Sequence, residues 1–416
     1  ERSSVALESN MPNLAIRTET MPSSPIRRLV DYANRAEARG VDVHYLNIGQ
    51  PDVHSPAAFW SAVKQTEIKT LEYSHSAGTA GLRAALAEHY QQHGIEVGVE
   101  NILVTNGGSE AALFAMLCCC NPGDEVIVVE PFYANYAGFA VTAGVTLVPL
   151  TARIGDDFRL PTADEIEAVI TPRTKAILLC NPSNPTGTVF GVSALAEISE
   201  IAVKHDLFLI GDEVYREFYY GSETLQSVLQ LEGLEDRTVM IDSASKKFSL
   251  CGSRVGFFVT KNLDLIAVAL KFGQARLSAP TLDMIGVEAA LRNTPPTYFA
   301  EVKAEYMARR DVLVSELKAI PGVVVPPIDG AFYAVVELPI DDSDRFCQWM
   351  VEEFSFEGET VLMAPATGFY ISPGLGKKEV RIAYVLDQDR LRRAMKCLAA
   401  GLLAYPGRVL TEAVAA

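Results

Sequence analysis

Between about residue 101 and residue 260 the chain repeats one pattern, a short β-branched run, a polar turn and an amphipathic helical run. "NILVTN" leads into "SEAALFAMLCCCNPG", "DEVIVVEP" into "YANYAGFAVTAG", and "KAILLCNP" into "SALAEISEIAVKHD" and then "LFLIGDE". A strand separated from the next by a helix does not close a hairpin. It crosses over and returns parallel, so the pattern implies a mostly parallel sheet with right-handed crossovers and helices on both faces. Local signals agree: Thr162 with Glu165 ahead of "IEAVI" reads as a capping box, and "NPGDE" as a loop that restarts a strand. Ligands of such a sheet sit beyond the carboxyl ends of its strands, so the polar groups there come first.

After about residue 294 the texture changes. "TPPTYFAEVKAEYMARRDVLVSELKAIPG" opens on Pro-Pro, reads as one long helix and stops at Pro-Gly. "GAFYAVVEL" and "EVRIAYVLD" then read as strands and "DRLRRAMKCLAAGLLAYPG" as a last helix, a second and smaller α+β unit. A chain of 416 residues has room for both.

Composition removes several classes of function. With 36 basic against 52 acidic side chains the net charge is −16, which repels nucleic acid and anionic lipid. The 7 cysteines, three of them consecutive at Cys118 to Cys120, form neither a disulfide framework nor a CxxC pair. Reduced thiols in a cytoplasmic protein are expected. The 6 histidines show no metal motif along the chain, and no metal is expected. "ERSSVALESN" lacks the basic and apolar segments of a secretory leader, and the missing Met suggests a trimmed start. Apolar runs such as "AALFAMLCCC" stop well short of a bilayer span.

Four stretches fall at strand ends. "LFLIGDEVY" ends in Asp212 and Glu213, with Tyr215 just beyond, although a strand that simply reaches solvent also ends in acids. "CNPSNPTG" packs a rigid turn after another buried strand. "VTNGGSEAALF" passes through Gly107, Gly108 and Ser109 into a helix, so that free N–H groups and the positive helix end face an anion. It lacks the GxGxxG and Lys-Ser/Thr spacings, which argues against dinucleotides and nucleoside triphosphates. In "DSASKKFSLCGSRVG", the strand "RTVMID" delivers Lys246 and Lys247 to the place where the other strand ends converge, with Ser243, Ser245 and Arg254 nearby. Solvation is the usual fate of a lysine pair. A lysine beside hydroxyls and a phosphate-binding arginine is what a Schiff-base cofactor needs.

These stretches, with "NIGQPD", "YSHSAGTAGLR", "EPFYANY" and "VRIAYVL", occur in an order that resembles the fold-type I pyridoxal-phosphate enzymes, specifically the class I/II aminotransferases of the aspartate aminotransferase-like kind. The resemblance runs from about residue 21 to the last helix. It implies a large domain with a mixed, mostly parallel sheet between helices and a smaller α+β domain. The corresponding division is an extension at 1–20, a segment at 21–50 that joins the small domain, a large cofactor-binding domain at 51–295, and the linking helix and small domain at 296–416.

The resemblance also implies roles. Lys246 would carry pyridoxal 5'-phosphate, and Lys247 would be its non-catalytic neighbour. Asp212 would pair with the protonated ring nitrogen, Asn184 and Tyr215 would bond the ring hydroxyl, and Tyr133 would stack on the ring. Gly108, Ser109, Ser243 and Arg254 would hold the phosphate, with Tyr73 reaching it from the partner subunit of a homodimer. Arg381 would fork the substrate α-carboxylate, assisted by Asn184 and the backbone of Gly49. Freed Lys246 would move the α-proton, because the ring accepts the electrons.

Substrate choice is less legible. Some aspartate-using relatives carry a lysine after the Gly-Gly turn, where this chain has Ser109; Arg27 or Arg28 in "MPSSPIRRLVDYA" could serve instead, although a solvated helix face is the more usual place for such a pair. Aspartate with 2-oxoglutarate is expected, with aromatic or branched-chain amino acids as alternatives and carbon–sulfur β-lyase or cyclopropane-forming synthase chemistry open on the same fold. A cofactor-sensing regulator would need a basic helix-turn-helix ahead of "MPSSPIRRL", and about twenty residues there are too few. A non-catalytic scaffold is disfavoured because every matched position is chemically competent.

Overall fold

The structure, a computed structural model, describes residues 13–222 and 224–409. Most of the expected extension at 1–20 and the tail after 409 therefore lie outside the described residues.

Twelve strands among the described residues form three sheets. The first, β1 (Asp42–Tyr45), belongs to a small pair. The next seven, β2 (Ile102–Asn106), β3 (Glu125–Glu130), β4 (Thr146–Thr151), β5 (Thr174–Cys180), β6 (Phe208–Asp212), β7 (Thr238–Ser243) and β8 (Val255–Val259), make one sheet in the order β2-β8-β7-β6-β5-β3-β4. Only β8 runs against its neighbours. The strands read as nearly continuous Val, Ile and Leu because both faces are covered. Alternate side chains sort to the two sides: Val126, Val128, Leu178 and Ile210 join one apolar cluster, and Ile127, Ile177, Leu179 and Leu209 the other. Helices Gly107–Cys119, Asn135–Ala143, Ala163–Ala168 and Val192–Lys204 fill the connections. The expected capping box is present: Thr162 Oγ1 accepts from the Glu165 N–H, and Glu165 Oε2 accepts from the Thr162 N–H at 2.8 Å.

Register fixes where the chemistry goes. Cys180 pairs with Asp212 and Asp212 with Ile241, so β5 and β6 end level and β7 runs two residues further, to Ser243, at the same edge. Two antiparallel steps across β8 bring β2 to the same polarity, so Asn106 ends at that edge, where β8 begins with Val255 opposite Asn106. The single reversed strand thus brings a strand start, with Arg254 just before it, to an edge otherwise made of strand ends.

The long helix is Pro296–Lys318, with proline in its first turn where the missing N–H costs nothing. Beyond it come β9 (Tyr333–Glu337), β10 (Glu359–Leu362), β11 (Ala364–Pro365) and β12 (Glu379–Ala383). β11, β12 and β9 form an antiparallel sheet, and β1 pairs in parallel with β10, Asp42 opposite Glu359. The last helix is Gln388–Ala404. All 7 cysteines are free; Cys119, Cys180, Cys347 and Cys397 are buried and the others half-buried. Among the described residues no helix is long and apolar enough to cross a membrane.

Gly256 on β8 lies against the turn that opens helix Gly107–Cys119: a Cβ there would come within 2.1 Å of the Gly107 carbonyl carbon. Gly256→Ala is expected to lower stability by about 1–3 kcal/mol, as an overpacked contact does. Gly155→Ala, whose Cβ meets nothing within 4 Å, is expected to leave the urea midpoint unchanged.

Candidate functional site

A cleft of about 700 Å³ opens over these strand ends. Of the twelve residues given a role at the cofactor or the α-carboxylate, eleven line it: Gly49, Gly108, Ser109, Tyr133, Asn184, Asp212, Tyr215, Ser243, Lys246, Arg254 and Arg381. The twelfth, Tyr73, lies on a loop, 79% exposed, away from this chain's cleft.

β7 passes at Ser243 into the one-turn helix Ala244–Lys247, where Ser243 Oγ accepts from the Ser245 N–H. Successive residues of a helix point about 100° apart, so the two lysines diverge. Lys246 enters the cleft and donates from Nζ to the Gly49 carbonyl at 2.8 Å. Gly49 allows this approach because Tyr333 crosses it; a Cβ there would sit 1.8 Å from the Tyr333 hydroxyl. Lys247 turns into the core at 1% exposure and donates to Asp242 Oδ2 at 2.6 Å, the same oxygen that the Tyr90 hydroxyl reaches at 2.8 Å. The expectation that the strand delivers both lysines to the strand ends is therefore corrected: helical rotation sends one to the cleft and one behind it. Neither is a solvated surface lysine.

The acids at the end of β6 also part, by strand alternation. Glu213 faces inward to Arg216, the Ser227 hydroxyl at 3.0 Å and the Val228 N–H at 2.8 Å, a fully paired anchor. Asp212 faces the cleft, accepting from the Tyr136 hydroxyl and, at 3.4 Å, from the Val214 N–H. No cation pairs with it among the described residues. Burial pushes its carboxyl up to about 6, with the bonds from Tyr136 and Val214 pulling the other way.

At the far wall, Arg381 on β12 is buried with its guanidinium carbon 4.6 Å from the Tyr333 ring centre and 4.8 Å from that of Phe369. It donates through Nη1 to Asn184 Oδ1 at 3.1 Å and through Nη2 to the Asn47 carbonyl. Its buried Nε has no acceptor among the described residues. Burial pulls its pKa below the usual arginine range. Asn184 Nδ2 lies 3.4 Å from the Tyr215 hydroxyl, which is 2.9 Å from that of Tyr333. The large and small sheets are thus joined across the cleft by one polar chain.

The opposite end is built for an anion. Asn106 makes no side-chain cap on helix Gly107–Cys119, which leaves the first N–H groups free, and Gly107 takes φ +75, as the turn into the helix requires. Ser243 and Ser245 hydroxyls lie 2.9 Å apart beside it. Arg254 holds a left-handed φ of 54 and is fixed by the Cys251 carbonyl at 3.0 Å, with no carboxylate partner among the described residues. Such backbone strain gathers at functional sites. Tyr133 forms a side wall; burial pushes its hydroxyl up to about 12.

The N-terminal segment crosses the mouth. Asn47 Nδ2 donates to the Ile26 carbonyl at 2.7 Å, and Pro25 packs on Gly368. The two candidate arginines separate here: Arg27 lines the cleft, whereas Arg28 pairs with Asp344. Asn47, Tyr136 and Tyr333 were not picked out from the sequence. Tyr136 had a signal, lying one helical turn from Tyr133 in "EPFYANY". Tyr333 and Asn47 had none, because their position depends on how the small sheet docks.

Residues 41–398 match the family model described as aminotransferase class I and II. The chain is 30% identical to an aspartate aminotransferase of Pyrococcus horikoshii over 92% of its own length and 95% of the relative's. It is 30% identical to aromatic-amino-acid aminotransferase 2 of Thermococcus litoralis over 92% and 96%. Its fold superposes on the aspartate aminotransferase of Thermus thermophilus solved with maleate at a TM-score of 0.85 and 28% identity, covering 94% of this chain and 100% of the other. With a fold, a cleft and a sequence match that agree over nearly its whole length, this chain belongs to the class I and II aminotransferases.

Proposed function

We propose that the cleft holds pyridoxal 5'-phosphate and transfers the amino group of an L-amino acid, aspartate first, to 2-oxoglutarate by alternating half-reactions. The observation that carries this reading is Asp212, a buried carboxylate without a cation partner among the described residues, facing the same cleft as Lys246. Burial makes ionisation of such a group costly, and a positive charge beside it offsets that cost; a protonated ring nitrogen supplies one. The remaining donors fit the same molecule: free helix N–H groups, two serines and Arg254 for its phosphate, Tyr215 and Asn184 for its ring oxygen, and Tyr133 for a ring face. We assign residues 51–295 to the part that holds the cofactor, and 21–50 with 296–416 to the part that closes over the substrate.

When bound, the cofactor supplies an electron sink for the pair left by the departing α-proton. The chain's residues do the rest. Lys246 Nζ would take that proton as general base and hold it for delivery to the cofactor carbon on the far side of the amino nitrogen, two atoms away. Gly49 aims the amine through its carbonyl, 2.8 Å away. Asp212 holds a proton at the ring nitrogen, and Tyr136 holds Asp212. Arg381 presents a fork for the α-carboxylate, and its unpaired Nε is satisfied when that anion arrives. Arg27 at the mouth receives the second carboxylate of a dicarboxylic substrate; the maleate complex of one relative and the name of another support aspartate, and the aromatic-amino-acid aminotransferase at equal identity keeps an aromatic donor as the alternative. Tyr73 completes the phosphate site of a second copy in a homodimer. Free thiols throughout and the acidic surface agree with a cytoplasmic enzyme.

An absorption titration of the cofactor-loaded protein tests the reaction. Aspartate is expected to convert the yellow band to the amine form and 2-oxoglutarate to restore it. Arg27→Met is expected to raise the aspartate KM by about tenfold or more, the worth of a charged hydrogen bond, and to leave phenylalanine nearly unchanged. Release of pyruvate and ammonia instead would make the enzyme a lyase.

Borohydride fixation separates the lysines. Lys246→Ala is expected to lose the fixed cofactor with little change in stability. Lys247→Ala is expected to keep it but to lose about 3–5 kcal/mol, because Asp242 is left buried without its counter-charge.

Asp212 also imposes a pH dependence. Its folded pKa of about 6 exceeds the ordinary 3.8, so the folded apoprotein binds the extra proton and loses stability as pH rises through that window. Asp212→Asn removes this term. The difference in melting temperature between variant and wild-type apoprotein is expected to grow in favour of Asn from about pH 4 to about pH 6 and then level off, and to reverse once cofactor is added.

A further inference from the structure

Directly behind the lysine pair, three ligand-type side chains converge. His89 lies on helix Ala80–Gln92 and His93 is the residue that caps its end, so the two share one face at i and i+4. Glu217 reaches them from the short helix Arg216–Phe218, which follows Tyr215. Glu217 Oε1 is 3.3 Å from His89 Nε2 and 3.6 Å from His93 Nε2. Neither His89 Nε2 nor Glu217 Oε1 has a hydrogen-bond partner among the described residues, although both atoms are buried and the His89 side chain is only 9% exposed.

From these observations we propose that His89, His93 and Glu217 form a divalent transition-metal site, zinc first, that pins the turn after Tyr215 to helix Ala80–Gln92. Metal–nitrogen and metal–oxygen bonds of about 2.0–2.1 Å in a tetrahedron put neighbouring ligand atoms about 3.3–3.4 Å apart, close to the two separations from Glu217 Oε1 to the imidazoles, and all three ligand atoms lie within 4.8 Å of one another. Imidazoles and a carboxylate are the donor set that borderline cations prefer. The two nearby cations each have a carboxylate of their own, Lys247 with Asp242 and Arg216 with Glu213, which leaves Glu217 to the histidines. The 32% exposure of the His93 side chain gives the ion an entry path and leaves room for water as a fourth ligand. Along the sequence the histidines show no metal motif because the third ligand comes from a distant turn.

The test uses cofactor-loaded protein freed of metal with a chelator, then titrated with Zn²⁺ against a chromophoric indicator and, separately, with Co²⁺ followed by its visible spectrum. One Zn²⁺ per chain, a tetrahedral Co²⁺ spectrum and a rise in melting temperature are expected. His93→Ala, at the exposed rim, and Glu217→Gln should each weaken binding by more than about tenfold and abolish that rise. No stoichiometric binding, or binding unchanged in both variants, would overturn the proposal and leave the three side chains as a buried polar cluster.

Discussion

Because β5, β6 and β7 lie in register, with Cys180, Asp212 and Ile241 side by side and β7 ending two residues on at Ser243, the residues that follow each strand are forced into one small volume. Asn184 comes after the first, Tyr215 after the second and Lys246 after the third. The antiparallel insertion of β8 adds Arg254 from a strand start and leaves Asn106 at the same edge to open an anion-binding helix. Apolar burial on both faces holds this register, since a one-residue slip would turn every inward side chain to the wrong side. The chemistry of the cleft is therefore a consequence of sheet packing.

Charge placement around that edge follows one rule. Charges that face the core are paired: Lys247 with Asp242 and Tyr90, Glu213 with Arg216, Ser227 and the Val228 N–H. Charges that face the cleft lack an opposite charge among the described residues: Asp212, Lys246, Arg254 and Arg381. Burying an ion without a counter-charge is costly, and the cost at Asp212 shows in its raised pKa. Folding therefore leaves complementary charge unspent in a pocket of defined shape, the condition under which a charged ligand binds tightly. The N-terminal segment belongs to the same system, because Asn47 holds both Ile26 and Arg381.

The strand–helix alternation was plain in the sequence because near-continuous β-branched runs buried on both faces look like nothing else, and the Thr162 capping box is a purely local signal. The cleft residues that stand next to strand ends were legible for the same reason. Lys247 was not fully so: its neighbour's role is visible in the motif, but its own burial depends on Asp242 and on Tyr90, brought from a remote helix. Arg27 and Arg28 are equivalent in sequence, and only the packing of residues 24–27 against Asn47 and Gly368 sends one to the cleft and the other to Asp344.

By itself the sequence determined the parallel sheet, the order of its elements, the lysine-bearing turn and the family, because each rests on periodicity or on contiguous residues. Tertiary structure decided what the two lysines do, which arginine faces substrate, and that Tyr136, Tyr333 and Asn47 support Asp212, Tyr215 and Arg381. It also decided that His89, His93 and Glu217 meet. The physical reason is the same in each case: hydrogen bonds and ligand geometries of about 3 Å are set by elements far apart along the chain, and packing of the sheets and helices alone brings them within that distance.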